Sequence, residues 1–289
     1  MGVTLYVVGF AVGPLAFGPL SELYSRQRPL MASMFCFIIF QIPVAVAPNL
    51  ATLFICRFLC GAFGSAPLAI VAGMYIDFWS TTQRGFATLL FAGAVFAGPT
   101  AGPIVGESTV MNDSLGWRWT AWFTMIMGAF FWLLALLTVP ETLHTVLLTR
   151  KAARLRIKTR NFALHSRAEE EATEFIALLM KYALKPAQMS CREPILIAMT
   201  AYISLVYGIL YLIFFAFPFS FQYDRQWNLG TASLPFLSIF IGVVLACLLM
   251  SLGLKLRFNP LALRAGKPLP EERLPNMIAG SFILVIGLC

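Results

Sequence analysis

Gly98-Pro99-Thr100-Ala101-Gly102-Pro103-Ile104-Val105-Gly106 stands at the centre of an apolar run from Phe86 to Trp119. The run is long enough to cross a bilayer, yet its middle carries two prolines and glycines at every fourth position. A helix that only faces lipid has no use for either feature. Residues four apart share a helix face, so Gly98, Gly102 and Gly106 form a flat strip against which another helix can pack closely. Pro99 and Pro103 cannot donate to the helix ladder, so the backbone there is locally weakened and must be satisfied by neighbours. The strip is therefore expected to be an internal packing seam with a built-in bend.

Composition places the seam in its class. The chain has 289 residues, 59% of them hydrophobic and only 12% charged; soluble domains carry about 25% charged residues. Windows of about 20 apolar residues mark spans near 3–21, 30–48, 52–76, 86–106, 118–140, 194–217 and 231–253, and an eighth opens near 275. The expected fold is an all-α membrane protein of about eight transmembrane helices. No basic region precedes the first span as a cleavable signal peptide would require.

The net charge of +8 acquires its meaning from placement. Eighteen of the 21 lysines and arginines fall in 22–29, 77–85, 141–193 and 254–274, and two, Arg118 and Arg225, fall in the alternate loops. The positive-inside rule puts the first set in the cytoplasm. Charge so distributed is topology, with a contribution from anionic lipid headgroups, and not a nucleic-acid surface. The six cysteines are scattered and have no ligand spacing with His144 or His165, so they are taken as small buried hydrophobes. No cofactor or metal is implied.

The segment 144–192 divides the chain into an N-terminal transmembrane part, 1–143, and a C-terminal part, 193–289. Within it, Ser166-Arg167-Ala168-Glu169 matches a capping box, and Ile176, Leu179, Met180 and Ala183 follow at helical spacing. That pattern predicts a cytoplasmic amphipathic helix near the membrane surface. The charge run Arg150–Arg160 is expected to be a solvated, topology-setting linker. Pro275 to Cys289 would make roughly 22 Å of helix against a core of about 30 Å, so the chain is expected to be a piece of something longer.

Several stretches resemble the major facilitator superfamily, and within it fungal drug:proton antiporters that export drugs and secondary metabolites. Gly18-Pro19-Leu20-Ser21-Glu22-Leu23-Tyr24-Ser25-Arg26-Gln27-Arg28 is similar to the signature between that family's second and third helices, with Ser25 where a glycine is usual. Arg57-Phe58-Leu59-Cys60-Gly61 resembles the fourth-helix motif, and Asp77 with Arg84-Gly85 the next cytoplasmic turn. Gly98 to Gly106 resembles the antiporter motif of the fifth helix. Trp117-Arg118-Trp119 and Pro140-Glu141-Thr142-Leu143 resemble the start and exit of the sixth, and Arg192-Glu193-Pro194 with Tyr207-Gly208-Ile209-Leu210-Tyr211 the seventh. The resemblance implies an incomplete major facilitator fold, from family helix 2 to the start of helix 9, in a multi-pass protein of the plasma membrane. It also implies a monomer that moves small amphipathic organic substrates against protons across the lipid bilayer, with no nucleic-acid partner.

Particular residues carry those expectations. Arg57 is the one base well inside a span, where an unpaired charge costs about 3 kcal/mol or more. It must face the bundle interior, pair structurally, or snorkel to the outer interface; the resemblance makes it a proton-coupling residue of the pathway. No carboxylate lies in mid-span, since Glu22, Asp77 and Glu107 sit at span ends. The resemblance further implies a charge latch between cytoplasmic helix ends, built from Gly18, Glu22, Arg26, Arg28, Asp77 and Arg84; for Arg28 ordinary topogenic charge is an equal alternative. Tyr207, Tyr211, Phe214 and Phe215 form an aromatic stripe that either packs or lines a substrate cavity, with Tyr207, Tyr211 and Phe215 the cavity candidates. Trp117, Trp119 and Trp122 are expected to form an interface belt. Nothing in the sequence suggests an enzyme, and there is no phosphate-binding loop for ATP-driven transport. The expected function is secondary active efflux by alternating access; the alternative is a truncated, non-transporting membrane protein that is a gene-model fragment, a relic or a modifier of a full-length transporter.

Overall fold

A computed structural model describes residues 2–112, 116–166, 169, 188–189, 192–258, 260 and 274–288, and all regular structure among them is helical. Seven segments among these residues are long and apolar enough to cross a membrane. In chain order they are α1 (Gly2–Leu23), α2 (Gln27–Val46), α3 (Leu50–Gly64) continuing into α4 (Ala66–Phe78), α5 (Thr81–Val110), α6 (Arg118–Thr138), then, after the extramembrane α7 (His144–Thr159), α8 (Pro194–Pro218) and α9 (Pro235–Gly253). A final helix, α10, runs from Leu274 to Leu288. The chain is a multi-pass membrane protein.

The span expected as one helix over 52–76 is broken between α3 and α4 at Ser65. Pro67 explains the break: it has no N–H, and its ring crowds the carbonyl four residues back. Ser65 closes α3 by donating its backbone N–H to the Gly61 carbonyl at 3.1 Å and its hydroxyl to the Ala62 carbonyl at 2.8 Å. Pro99 and Pro103, by contrast, lie inside an uninterrupted α5 of 30 residues. The amphipathic helix expected through Ile176, Leu179, Met180 and Ala183 lies outside the described residues. Its capping box is seen in part, since the Ser166 N–H donates to the Glu169 carboxylate at 3.0 Å.

The described helices divide into two compact units, one of Met1–Asp77 and Thr109–Phe219, the other of Phe78–Ser108 and Ser220–Cys289. In the first, α1 packs on α3 through small residues. A β-carbon at Gly9 would stand 2.1 Å from the Phe58 carbonyl oxygen, and one at Gly61 only 2.0 Å from that of Tyr6, so backbone touches backbone. A cluster of Val44, Ala45, Cys56, Cys60 and Ala121 fills one half of this unit, with Tyr6, Phe37 and Phe40 against it. Trp122, partly buried, packs there too, whereas Trp117 and Trp119 stay exposed. A second cluster, Leu30, Ala66, Ile70 and Met74, fills the opposite half. α6 is tied to α2 at both ends: Arg118 donates to the Ala47 carbonyl at 3.3 Å, and the Trp132 indole to that of Met31 at 2.9 Å.

In the second unit α5 and α9 border a cavity of about 370 Å³, lined among others by Phe86, Leu90, Ala97 and Ser251. Gly93 lets the helices meet at one point, where a β-carbon would stand 2.7 Å from the Cys247 sulfur.

Candidate functional site

The ends of α1, α4 and α6 and the turn into α2 bring a buried charge cluster together around Arg26, which is only 8% exposed. Its guanidinium Nε donates to Asp77 Oδ2 at 3.2 Å, Nη1 donates to Ser21 Oγ at 3.0 Å, and Nη2 lies 4.0 Å from Glu22 Oε1. Ser21 donates its own hydroxyl to the Gly18 carbonyl at 2.8 Å, which holds its oxygen in place to accept from Arg26. Gly73 sits one turn before Asp77 on α4, so the two share a face. A β-carbon there would lie 2.7 Å from Nη1, so the glycine makes the flat floor on which the guanidinium rests.

The other half of the cluster comes from the turn after α6. Glu141 is 8% exposed. Its Oε1 accepts the backbone N–H groups of Arg26, Thr142 and Leu143, each at 3.1 Å, and its Oε2 accepts the Ser25 hydroxyl. Ser25 in turn receives the Arg28 N–H at 3.1 Å, and Gln27 Nε2 donates to the Val139 carbonyl at 2.8 Å. A carboxylate at the start of α2 is also favoured by the helix dipole. Burial pushes the Glu141 carboxyl up, but the Ser25 hydroxyl and the three backbone donors outweigh it and hold the group below the usual carboxylate range.

Of the residues expected in a latch, the structure thus joins Glu22, Arg26 and Asp77, with Gly18 contributing its carbonyl. Arg28 is exposed and offers the cluster only its backbone N–H, which suits the topogenic alternative. Arg84 belongs to the second unit. Sequence reasoning did not assign roles to Ser21, Ser25, Gly73 and Glu141. Ser21, Ser25 and Glu141 stand within the family-like motifs, and Gly73 is readable as the residue one turn from Asp77.

The remaining candidates lie apart from this cluster. Arg57 is partly buried on α3, about 10 Å along the helix from its start. Among the described residues it forms no ion pair; the Tyr6 phenol and the Cys60 thiol are its electrostatic neighbours. Tyr211 also neighbours Tyr6 and stacks edge-on against Phe214 at 5.8 Å, while Tyr207 is 38% and Phe215 69% exposed. At Gly98, Gly102 and Gly106 no described atom beyond the helix's own backbone and the adjoining residues lies within 4 Å of where a side chain would begin.

Comparison with known proteins gives this arrangement its setting. The family model described as the Major Facilitator Superfamily matches residues 1–289. The citrinin biosynthesis cluster MFS transporter of Monascus ruber is 52% identical over 289 residues, covering all of this chain and 58% of its own length. Its counterpart in Monascus purpureus is 48% identical, covering 100% and 59%. The ascochitine biosynthesis cluster MFS transporter of Didymella fabae is 47% identical, covering 100% and 56%. The chain therefore spans a little under three-fifths of the length of these curated relatives.

Proposed function

The chain belongs to the major facilitator superfamily, and from that premise we propose that it forms the greater part of a secondary transporter that exports secondary metabolites by alternating access. The observation that carries this reading is the cluster at Arg26, where the ends of α1 and α4 and the exit of α6 are locked by a few buried polar bonds. Charge pairs at helix ends bias a two-state equilibrium when they form in one state and break in the other. The relatives' names, which place them in citrinin and ascochitine clusters, support a small organic metabolite as cargo.

In this reading the two transmembrane parts, 1–143 and 193–289, rock about the basic segment 144–192. The face bearing Arg26, Asp77 and α7 is cytoplasmic, and the membrane is the plasma membrane. Glu22, Arg26, Asp77 and Gly18 form the latch, with Glu141 as its second anchor. Arg57, with no carboxylate partner among the described residues, couples proton movement to the switch beside Tyr6. Tyr207, Tyr211 and Phe215 face the substrate path, where aromatic rings contact varied apolar ligands without fixed hydrogen-bond geometry. Gly98, Gly102 and Gly106, with Pro99 and Pro103, supply a strip on which a second helix can slide.

The test is transport into inside-out vesicles of a panel of amphipathic metabolites, with and without an imposed pH gradient. Uptake that needs the gradient and is lost in Arg57→Gln is the expected result. Uptake indifferent to the gradient would remove proton coupling, and no uptake of any compound by the full-length protein would remove export.

A further inference from the structure

α7 carries a feature that the transport cycle does not use. Arg150, Arg154 and Lys158 recur every fourth residue, and Lys151 adjoins the first, so the four bases occupy one sector about 100° wide. All four are exposed and form no ion pair among the described residues. The sector roughly opposite is taken by the chain itself. There Thr149 Oγ1 meets Ser166 Oγ at 3.0 Å, and Arg156 pairs with Glu169 and donates to the Leu164 carbonyl. The single base on the inner side is thus neutralised internally, while the four on the outer side are left together. Exposed apolar side chains flank them, with Leu148 at 58%, Leu155 at 39% and Ile157 at 79%.

We propose that this stripe docks on the anionic phospholipid headgroups of the cytoplasmic leaflet. Two observations select that occupant. α7 opens only five residues after α6 ends, and the connection cannot swing away, because Glu141 grips the Ser25–Arg26 turn and Gln27 holds Val139. The first turn of α7 is therefore fixed beside the ends of the membrane spans, where the nearest extended negative surface is the leaflet. The side chains also match that surface: bases for phosphate and carboxylate headgroups, flanked by leucine and isoleucine for the acyl boundary. The docked helix would anchor the linker between the two transmembrane parts at the membrane plane.

An environment-sensitive fluorophore on Leu148→Cys tests this, with the wild-type chain labelled identically as blank. The purified full chain is placed in phosphatidylcholine vesicles with and without phosphatidylserine. A blue shift and quenching by brominated lipid are expected only with phosphatidylserine, weakening as sodium chloride is raised. Replacing Arg150, Lys151, Arg154 and Lys158 by Gln should abolish the signal at every phosphatidylserine fraction, since each lost base weakens docking on the order of fivefold. None of these side chains is in the core, and unchanged helicity by circular dichroism checks the fold. An equal signal in both vesicles, a signal surviving the fourfold variant, or none in either would overturn the proposal. So would a shift in neutral vesicles abolished by Glu170→Gln, Glu171→Gln and Glu174→Gln, which would mean that the chain's own acidic run covers the stripe.

Discussion

Arg26 and Glu141 show how two residues can hold four chain segments. Each is a buried charge, and each is tolerable only because its partners are already in place. Removing one partner should therefore cost more than the pair is worth. Asp77→Asn leaves the guanidinium without its close carboxylate and should destabilise the first unit by about 3 kcal/mol, measured as a lower thermal midpoint in detergent. Glu141 makes a pH prediction. Its folded pKa is depressed, so its stabilisation is complete at neutral pH and is lost only as pH falls through that lowered value, beneath the usual carboxylate pKa of about 4. The gap in thermal midpoint between wild type and Glu141→Gln should hold constant from neutral pH to about 5 and close below about 4. A gap that closed nearer neutrality would mean that the carboxylate is not so held. Both residues were visible in the sequence as members of motifs. What was not visible was that Ser25, in place of the usual glycine, gives Glu141 a hydroxyl to bind.

At the scale of elements, two sets of glycines behave differently. Gly9, Gly13 and Gly61 sit where α1 and α3 touch backbone to backbone. Gly98, Gly102 and Gly106 sit where a side chain would meet open space. The sequence advertises the second set more loudly, because its spacing is regular and two prolines accompany it. The first set hides in an ordinary apolar stretch. Stability should separate them: Gly61→Ala should cost about 3 kcal/mol or more, since the Tyr6 carbonyl cannot yield as a flexible side chain can. Gly98→Ala should change the thermal midpoint little or raise it, as alanine is the better helix former by about 1 kcal/mol. Equal losses at the two positions would contradict the assigned packing.

For the whole molecule, the proposed strip on α5 is a matter of motion and not of stability. Gly102→Leu should leave membrane insertion and helicity unchanged while abolishing vesicle transport, because a branched side chain would block close approach of a second helix. Retained transport in this variant would remove the seam from the mechanism. The cavity bordered by α5 and α9 has no signature in the sequence, unlike the aromatic stripe of α8. A cavity of that kind is made by two helices separated by more than a hundred residues, and no local pattern encodes which pair will face each other.

The class and the spans could be read from the sequence alone, as could the alternation of basic and base-poor turns. Each of these follows from local quantities: the hydropathy of about 20 consecutive residues, the basic count of a turn, and the position of a proline. Even there Pro67 broke the helix within one span, which a window average does not register. Tertiary structure alone decided which charges meet and which glycines touch. Asp77 reaches Arg26 across 51 residues of chain, and Glu141 reaches Ser25 across 116. Such pairings depend on which helix ends the folded bundle brings together, because a buried charge selects its partner by proximity after packing and not by distance along the chain.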